Sequence, residues 1–316
     1  MNREIQDILS IQEDFVKGIK RNDFSFIKQI FTEDVWINCY MTGKGCGYEA
    51  VKRLLHYPGP KPAYVKQTVE NRVTRYEKNQ AQQSFHMLML YTLTGEDGQF
   101  HFMHYGGTFI LSYKKINKQW KISRILYDLC WLEGNSYWVK DWKMIGFHMP
   151  KRHKQIIDCK KDGVSHVIPV CHYERTDQEQ IEETLFHYGW VIDTEDYELF
   201  RQIALSDVVV EDGYHGKMFK GVQNWIDFLT LLNTREPCLH HTYRINEIQI
   251  NENRAVGKMS RIEPNRIGSK AIGNHNYFMD WFTLDYIVDL VKVSGVWKLK
   301  RINFMKNLRS IPAYLT

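Results

Sequence analysis

The sequence predicts an α+β fold that is built twice, as two tandem domains. Each domain is expected to be a curved antiparallel sheet wrapped by the helices that precede it. Three observations predict this arrangement: the chain repeats itself internally, each copy opens with helical periodicity, and each copy continues as strand-like segments joined by tight turns. At 316 residues the chain is long enough for two domains that each bury a core of their own.

The internal repeat emerges when the chain is aligned with itself. Asn22–Ile30 aligns with Glu195–Ile203 at an offset of 195 − 22 = 173, and Trp120–Ile125 aligns with Trp297–Ile302 at an offset of 297 − 120 = 177. A slowly drifting offset is what a duplication followed by small loop insertions leaves behind. Two copies are too few for a solenoid, so we expect each to be a domain. We call residues 1–133 copy one and residues 178–316 copy two, with residues 134–177 as a linker that contains a packed helix.

Copy two opens with a helix and a strand whose apolar faces follow from the spacing. Four residues recur at i, i+4, i+7 and i+11, which is one apolar stripe on a helix: Ile181, Leu185, Tyr188 and Ile192. The β-branched run Val208–Val210 then predicts a strand. Alternation along that strand places Asp212 on the same face as Val208 and Val210. An acid and a phenol are therefore expected in one apolar interior.

Long antiparallel strands follow in both copies. In copy one they are predicted at Gln67–Tyr76, Ala81–Leu93, His101–Lys115 and Gln119–Leu129. In copy two they are predicted at His240–Ile250, Ala255–Glu263, Tyr277–Val293 and Val296–Phe304. Hairpin turns at Asn117-Lys118 and Ser294-Gly295 join the last two strands of each copy. Helices first and a meander after them is an α+β pattern, with the helices packed on one face of the sheet.

Composition excludes several classes of protein. The net charge of +5 is too small to indicate a nucleic-acid partner, and no apolar run is long enough to span a bilayer. The six cysteines show no paired spacing, which fits a reducing compartment better than a disulfide framework. The first twenty residues predict an amphipathic helix rather than a signal peptide. We expect a cytoplasmic protein without nucleic-acid or membrane partners.

The order of elements and two short motifs carry a family resemblance. Asp23–Val35 and Asp196–Val208 follow the first helix of each copy, and Trp-Lys-Ile or Trp-Lys-Leu opens the last strand at Trp120 and Trp297. This pattern resembles the nuclear transport factor 2-like superfamily, and within it the SnoaL-like group of cyclases, dehydratases and isomerases. The resemblance implies a cone formed by a bent sheet and its helices, with a pocket that opens at the wide end.

The resemblance also implies a set of catalytic residues in copy two. Ketosteroid isomerases of this superfamily have a tyrosine on a helix and an aspartate base at a Val-Glu-Asp strand end. Tyr188 and Asp212 match that pattern and stand 212 − 188 = 24 residues apart. The bile-acid 7-dehydratase branch has a tyrosine, an aspartate five residues later and a histidine that opens the first long strand. Tyr188, Asp193 and His241 resemble that set.

Each of these four residues also has a purely structural interpretation. Tyr188 could be a core tyrosine bonded to the backbone, and His241, on the inward face with Tyr243, could be a satisfied core histidine. Asp212 precedes a glycine and could accept hydrogen bonds in an Asx turn. Asp193 could cap the helix that begins after it, or it could orient His241 or Tyr188.

Three further residues of copy two are expected to bind substrate. Tyr286 and Asp280 share the predicted inward face of their strand, and Asp280 is the fallback for the proton donor of an isomerase site. Arg301 alternates with Trp297 and Leu299, which places its guanidinium on the core side, where it must be paired. A structural ion pair is the alternative for Arg301, because Arg124 repeats it in copy one.

Metal and nucleotide chemistry are not indicated. His101 and His104 point to opposite faces of their strand, and no Cys/His cluster has zinc spacing. There is no Walker loop and no Gly-x-Gly-x-x-Gly after a strand. We therefore expect no metal and no cofactor.

The two copies differ at the four candidate catalytic positions. By the repeat offsets, Tyr188, Asp193, Asp212 and His241 correspond to Phe15, Lys20, Cys39 and Gln67. Copy two is thus expected to carry the chemistry, while copy one is degenerate at the acid–base positions or binds another ligand through His86, His101, His104 or Tyr105.

The predicted function is that of a cofactor-free dehydratase (a lyase) or isomerase, which acts on an apolar, steroid- or polyketide-like molecule. The alternative is a non-catalytic module for small-molecule binding or protein assembly. The paired copies would form a pseudo-dimer within the chain, and further self-association stays open.

Overall fold

The computed structural model describes residues 2–95, 98–143, 155–213, 215–235, 240–272 and 276–310. Within these ranges, the side chains of residues 233–235, 263–272, 276–278, 280, 282 and 306–310 are not described. The chain divides into two compact units. The first comprises Met1–Pro150, Lys154–Glu174 and Lys270–Phe278, and the second comprises Lys151–His153, Arg175–Ser269 and Met279–Thr316. Each unit contains a six-stranded mixed sheet preceded by helices, so the α+β prediction is confirmed.

The first unit holds copy one. Its helices are α1 (Arg3–Arg21), α2 (Tyr48–Leu55), α3 (Cys159–Asp162) and α4 (Val164–Val167), with 3₁₀ turns at Ser25–Ile30 and Tyr137–Val139. Its strands are β1 (Phe31–Cys39), β2 (Gly43–Cys46), β3 (Tyr64–Glu77), β4 (Gln80–Thr94), β5 (Phe100–Ile116) and β6 (Gln119–Asn135). The helices between β6 and α5, in the predicted linker, are short turns among the described residues. Trp142 of this segment is buried and packs edge-on against Tyr105, with ring centroids 5.6 Å apart.

The second unit holds copy two apart from Lys270–Phe278, which belong to the first unit. Its helices are α5 (Asp177–Thr194), α6 (Tyr197–Ile203) and α7 (Val222–Arg235). Its strands are β7 (Ala204–Asp212), β8 (Lys217–Lys220), β9 (Tyr243–Asn251), β10 (Arg254–Ile272), β11 (Asn276–Val293) and β12 (Val296–Ser310). The order of strands is β8-β7-β12-β11-β10-β9, and the order in copy one is β2-β1-β6-β5-β4-β3.

Both sheets are mixed rather than fully antiparallel. The strand that precedes the meander runs parallel to the last strand, so β1 lies parallel to β6 and β7 lies parallel to β12. This pairing places the end of β7 inside the domain, where Asp212 lies opposite Phe304. In copy one the same register places Cys39 opposite Tyr127.

Local chemistry fixes the ends of the elements. Thr176 caps α5 through a capping box, because its side chain accepts a hydrogen bond from the Glu179 backbone while the Glu179 carboxylate accepts one from the Thr176 backbone. The two predicted hairpin turns have left-handed backbone at both positions, with φ of 49° and 65° at Asn117-Lys118 and 50° and 80° at Ser294-Gly295. Such turns match the twist of the strands they join.

The repeat is confirmed by the fold. β1 and β7 are both nine residues long and bury the same alternate positions, including the last residue of each strand. The first helix of each copy also begins with a carboxylate that makes the same two contacts. Glu4 accepts hydrogen bonds from the side chains of Lys115 and Trp120, and Asp177 accepts them from Lys292 and Trp297. Among the described residues, no helix is both long and apolar enough to cross a membrane.

Candidate functional site

Tyr188 lies inside copy two, on the apolar face of α5. Only 1% of the residue is exposed, and its ring stacks on Tyr243 with centroids 6.2 Å apart and leans on Phe200 at 6.3 Å. The helical stripe predicted from the sequence is therefore the inward face of α5. The ring is held by packing alone on these sides, so its hydroxyl is positioned rather than mobile.

The surroundings of Tyr188 keep its phenol protonated. Burial raises the pKa of Tyr188 well above its usual value of 10.0, and the neighbouring Tyr286 and Asp212 raise it further. Arg261 and the Trp225 N–H oppose this rise in pKa, but burial dominates. A neutral phenol in a dry interior is a hydrogen-bond donor near neutral pH.

Asp193 and His241 form a buried pair. Asp193 Oδ1 lies 2.5 Å from His241 Nδ1, and Asp193 Oδ2 accepts from the His241 backbone N–H at 2.8 Å. The exposed fractions of the two side chains are 4% and 6%. The carboxylate thus contacts the imidazole at Nδ1 and accepts a hydrogen bond from the backbone of the same residue, which fixes the orientation of the ring.

The capping interpretation of Asp193 is wrong. Asp193 belongs to the last turn of α5, and the N-cap of α6 is Asp196, whose side chain accepts from the Leu199 backbone N–H at 3.2 Å. The alternative, in which Asp193 orients His241, is the contact in the structure. His240 is also buried, at 3% exposure, because the two histidines lie just before β9 begins, where strand alternation does not apply.

Asp212 is buried and is also a turn acceptor. It is 1% exposed at the end of β7, where its Oδ1 accepts from the His215 backbone N–H at 2.9 Å. Its Oδ2 lies 2.6 Å from His215 Nδ1. His215 is much more accessible, with 36% of its side chain exposed. The two interpretations of Asp212 therefore combine: the carboxylate closes a turn and also faces the interior that holds Tyr188.

Sequence reasoning missed three residues of this interior: Trp225, Tyr243 and Arg261. Each is at most 4% exposed. Arg261 Nη1 donates to the Tyr286 hydroxyl at 3.3 Å, and the Tyr243 ring lies 5.1 Å from the Tyr286 ring. Alternation offered a signal for Arg261, because Ala255, Gly257 and Met259 precede it at period two and are all buried.

Copy one replaces this whole set by apolar residues. Offsets of 174 or 177 relate Trp225 to Val51, Tyr243 to Val69, Arg261 to Met87 and Tyr286 to Phe109. The sheet register agrees, because Arg261 pairs with Tyr243 as Met87 pairs with Val69, and Tyr286 pairs with Phe304 as Phe109 pairs with Tyr127. This set of side chains, with Arg261 and the Tyr286 hydroxyl, is thus a property of copy two.

The prediction for Arg301 is wrong. Half of its side chain is exposed, at 49%, and its Nη2 binds both carboxylate oxygens of Glu211 at 2.7 and 2.9 Å. A β-bulge is the cause: β12 pairs Leu299 with Leu290 but Arg301 with Asp289, so Lys300 is extra and the alternation shifts by one. Ile302 and Phe304 occupy the inward face instead. Arg301 makes the structural ion pair that was its alternative.

Of the other two substrate-binding candidates, Tyr286 and Asp280, the structure describes the side chain of Tyr286 only. Tyr286 lies on the inward face of β11, is 3% exposed and stacks on Phe304 at 5.2 Å. The side chain of Asp280 lies outside the described residues.

In copy one, burial lowers the pKa of His104 to about 4, so its ring is neutral near pH 7. Across the described ranges, no group of three His, Cys, Asp or Glu side chains could hold a metal ion.

The comparison with protein families finds a match in copy two. The family model of the SnoaL-like domain matches residues 174–303. No curated protein matches the chain.

Solved structures of about one copy's length resemble part of the chain. A scytalone dehydratase candidate of Novosphingobium aromaticivorans DSM 12444 is 18% identical over 41% of this chain and 85% of its own, with a TM-score of 0.35. Hexachlorocyclohexane dehydrochlorinase LinA-type3 of Novosphingobium barchaimii LL02 is 14% identical over 42% and 91%, with a TM-score of 0.37. A Nostoc punctiforme PCC 73102 protein of unknown function with a cystatin-like fold is 19% identical over 44% and 98%, with a TM-score of 0.34.

Proposed function

We propose that the part of the chain matched by the SnoaL-like domain model, residues 174–303, is an acid–base enzyme that needs no cofactor. Its reaction would be the dehydration or isomerisation of an apolar, steroid- or polyketide-like molecule. One observation carries the proposal: inside an aromatic interior, the buried carboxylate of Asp193 forms one hydrogen bond with the imidazole Nδ1 of His241 and accepts a second from its backbone N–H. The same carboxylate therefore binds both the ring and the backbone of His241, which holds the imidazole in one orientation.

His241 would move the proton. With Nδ1–H donated to Asp193, Nε2 would accept a proton from the carbon next to a substrate carbonyl, and the nearby carboxylate would stabilise the imidazolium that forms. Asp212 is the second candidate base, because its buried carboxylate lies close enough to raise the pKa of Tyr188.

Tyr188 would stabilise the enolate. Its phenol stays protonated near neutral pH, and a hydrogen bond to a developing oxyanion is worth more in a buried site than in water. Return of the proton at another carbon completes an isomerisation. Transfer of the proton from the His241 imidazolium to a leaving hydroxyl completes a dehydration.

Two probes test the proposal with the full chain. Androst-5-ene-3,17-dione reports isomerisation, and 3-hydroxy-1-tetralone reports loss of water. Reactions in D₂O with mass spectrometry also detect proton abstraction as deuterium uptake next to the carbonyl. We expect at least one probe to react, and we expect His241→Gln to abolish the reaction while binding is kept.

The binding-module alternative gives a different result. If copy two only holds a ligand, the probes bind to the wild-type protein without deuterium uptake, and His241→Gln changes affinity alone. Uptake of deuterium that is unchanged in His241→Gln and in Asp212→Asn would refute both candidate bases.

A further inference from the structure

Copy two contains a second aspartate–histidine pair, at the turn between β7 and β8. Asp212 Oδ1 accepts a hydrogen bond from the His215 backbone N–H at 2.9 Å, and Asp212 Oδ2 lies 2.6 Å from His215 Nδ1. Asp193 contacts His241 at the same two points, one on the backbone and one at Nδ1. Two carboxylates of this domain thus each orient a histidine through its Nδ1.

The two pairs differ in their access to water. The side chains of His241 and Asp193 are 6% and 4% exposed, so both members of the first pair are buried. In the second pair the Asp212 side chain is 1% exposed, whereas 36% of the His215 side chain is exposed. Asp212 also lies near enough to Tyr188 to raise its pKa. Asp212 therefore connects the interior of the domain with a histidine that reaches solvent.

Backbone hydrogen bonds hold this turn in place in both copies. The Gly213 N–H donates to the Phe304 carbonyl at 2.8 Å, and the Tyr40 N–H of copy one donates to the Tyr127 carbonyl at 2.9 Å. The two bonds are equivalent, because Gly213 and Tyr40 each follow the strand that runs parallel to the last strand of the copy. The aspartate–histidine pair is therefore not what positions the turn.

The turn of copy one also forms without a carboxylate. Cys39 stands in the place of Asp212, and its carbonyl accepts from the Thr42 backbone N–H at 3.2 Å. The turn of copy two is one residue longer, with 217 − 212 − 1 = 4 residues between Asp212 and Lys217 and 43 − 39 − 1 = 3 between Cys39 and Gly43. Folding alone thus does not require the pair, and the pair occurs in the copy that holds the candidate catalytic residues.

The imidazole of His215 is positioned by α7. Its ring packs edge-on against the Phe228 ring, with centroids 5.5 Å apart. Lys217 Nζ lies 5.2 Å from the centroid of the same Phe228 ring. Lys217 thus shares the surroundings of His215, which makes it suitable for a matched control.

A buried base has to lose the proton that it takes. When Asp212 is the base and another group protonates the product, each turnover leaves Asp212 protonated. Its side chain is 1% exposed, so this proton reaches water through a neighbour. Histidine suits this step, because its imidazole takes up and releases a proton between about pH 5 and 8. His215 is within hydrogen-bond distance of Asp212 and is exposed on its other side to solvent.

We propose that His215 is a proton relay that carries the proton of Asp212 from the interior of copy two to water. This inference rests on the proposed function, with Asp212 as the base. After Asp212 has taken a proton from the substrate carbon, its carboxyl group gives that proton to His215 Nδ1, and an imidazolium forms. The imidazolium then loses a proton to water or to a buffer base. Asp212 is again a carboxylate and His215 is again neutral, so the step balances.

Chemical rescue tests the relay in the full chain, with androst-5-ene-3,17-dione and 3-hydroxy-1-tetralone as substrates. The His215→Gln side chain keeps an N–H for Asp212 but cannot take up a proton. We expect kcat to fall about 10²-fold with KM unchanged, the lower end of the range for proton transfer by a positioned side chain. Added imidazole replaces the missing base, so it should restore turnover of His215→Gln and leave the wild-type protein unchanged.

An isotope label follows the same proton. Androst-5-ene-3,17-dione is deuterated at C4, and the product formed in H₂O is analysed by mass spectrometry. The wild-type protein should release the abstracted deuteron to water through His215. The His215→Gln protein should keep it on Asp212 and return it to C6 of the product. A residue that only supports the fold would not change the fate of the label.

Two variants supply the controls. Lys217→Gln should change neither kcat nor the response to imidazole. Asp212→Asn should lose turnover that imidazole does not restore, because the group that passes on the proton is gone. The melting temperature of His215→Gln should stay close to that of the wild-type protein, since the backbone holds the turn.

The results separate the relay from the reaction itself. Wild-type kcat in His215→Gln, a reduced kcat that imidazole does not restore, or full activity of Asp212→Asn would overturn the relay and leave the proposed function standing. If neither substrate reacts with the wild-type protein, the proposed function fails and the relay fails with it. If His215→Gln does not fold, His215→Ala, which leaves room for imidazole, decides by the same rescue.

Discussion

Asp193 Oδ1 lies 2.5 Å from His241 Nδ1, and the second oxygen of the same carboxylate accepts from the His241 backbone at 2.8 Å. Forty-eight residues separate the two partners, so the end of α5 positions a residue at the entrance to β9. A neutral amide can replace the backbone acceptor, but it cannot stabilise an imidazolium. We therefore expect Asp193→Asn to lower kcat/KM by about 10²-fold or more, within the range of general acid–base catalysis.

The control for that variant lies three residues further on. Asp196→Asn keeps a side-chain oxygen to accept from the Leu199 N–H, and asparagine caps helices as well as aspartate does. It gives up the 3.3 Å hydrogen bond from the Trp190 indole to the second oxygen. That bond lies away from His241 in the sequence, so its loss lowers stability rather than turnover. Asp196→Asn should leave kcat/KM unchanged. Equal losses in the two variants would mean that Asp193 supports only the helix end, and kcat/KM with the melting temperature separates the two cases.

Tyr188→Phe should remove a hydrogen-bond donor and little else. Copy one already has Phe15 at the equivalent, fully buried position, so the fold accepts this ring without its hydroxyl. Loss of one donor to a developing oxyanion costs about 10²–10³ in kcat, and we expect a change of that size with KM nearly constant. Steady-state kinetics checks this expectation.

The reverse exchange in copy one is the matched control. Phe15→Tyr adds a hydroxyl to a closed aromatic cluster, where Phe24, Phe31 and Phe109 surround the ring. It should cost about 1–3 kcal/mol of stability and leave turnover unchanged. A Tyr188→Phe protein with wild-type kcat would remove Tyr188 from the mechanism.

Asp212→Asn distinguishes a base from a turn residue. Asparagine can still accept from the His215 backbone N–H, so the turn should persist, while the buried negative charge near Tyr188 is lost. We expect turnover to fall at least 10²-fold with the fold intact, as measured by kcat and circular dichroism. A fully active Asp212→Asn protein would leave His241 as the base.

The sequence predicts positions well where the period of an element is unbroken. Helical spacing places Tyr188 on the inward face of α5. Alternation places Asp212 inside, because the run Val208–Asp212 is regular and the irregularity of β7 lies before it, between Ala204 and Val209. Arg301 follows one extra residue in β12, and that single insertion turned it outward to Glu211. A bulge of this kind depends on the partner strand, so local periodicity cannot reveal it.

The sequence predicts contacts between distant segments of the chain less well. The resemblance suggested Asp193 and His241 as members of one set, but their hydrogen bonds depend on where β9 begins relative to α5. Arg261 was missed although its alternation was regular, because a charged residue on a predicted inward face reads as a break in the pattern. Its partner, the Tyr286 hydroxyl, comes from a neighbouring strand.

Glu4 and Asp177, the carboxylates at the start of the first helix of each copy, should make the melting temperature depend on pH. The hydrogen bond from Lys115 lowers the pKa of Glu4 below 4.5, and the hydrogen bond from Lys292 lowers the pKa of Asp177 below 3.8. A carboxyl whose pKa is lower in the folded state stabilises the fold above its unfolded pKa, and this contribution is lost as the pH falls through the folded value. We expect the melting temperature to decline as the pH is lowered from about 5 to about 3.

Glu4→Gln and Asp177→Asn test the two copies separately. Each variant keeps an oxygen that can accept from the tryptophan N–H of its copy, so it removes chiefly the charge facing the lysine. Because both carboxylates are about one-third exposed, each loss at pH 7 should be modest, about 1 kcal/mol or less. The variants should also decline less steeply in acid than the wild-type protein, as measured by thermal unfolding across that pH range. Parallel curves for variant and wild type would mean that other carboxyl groups control the acid transition.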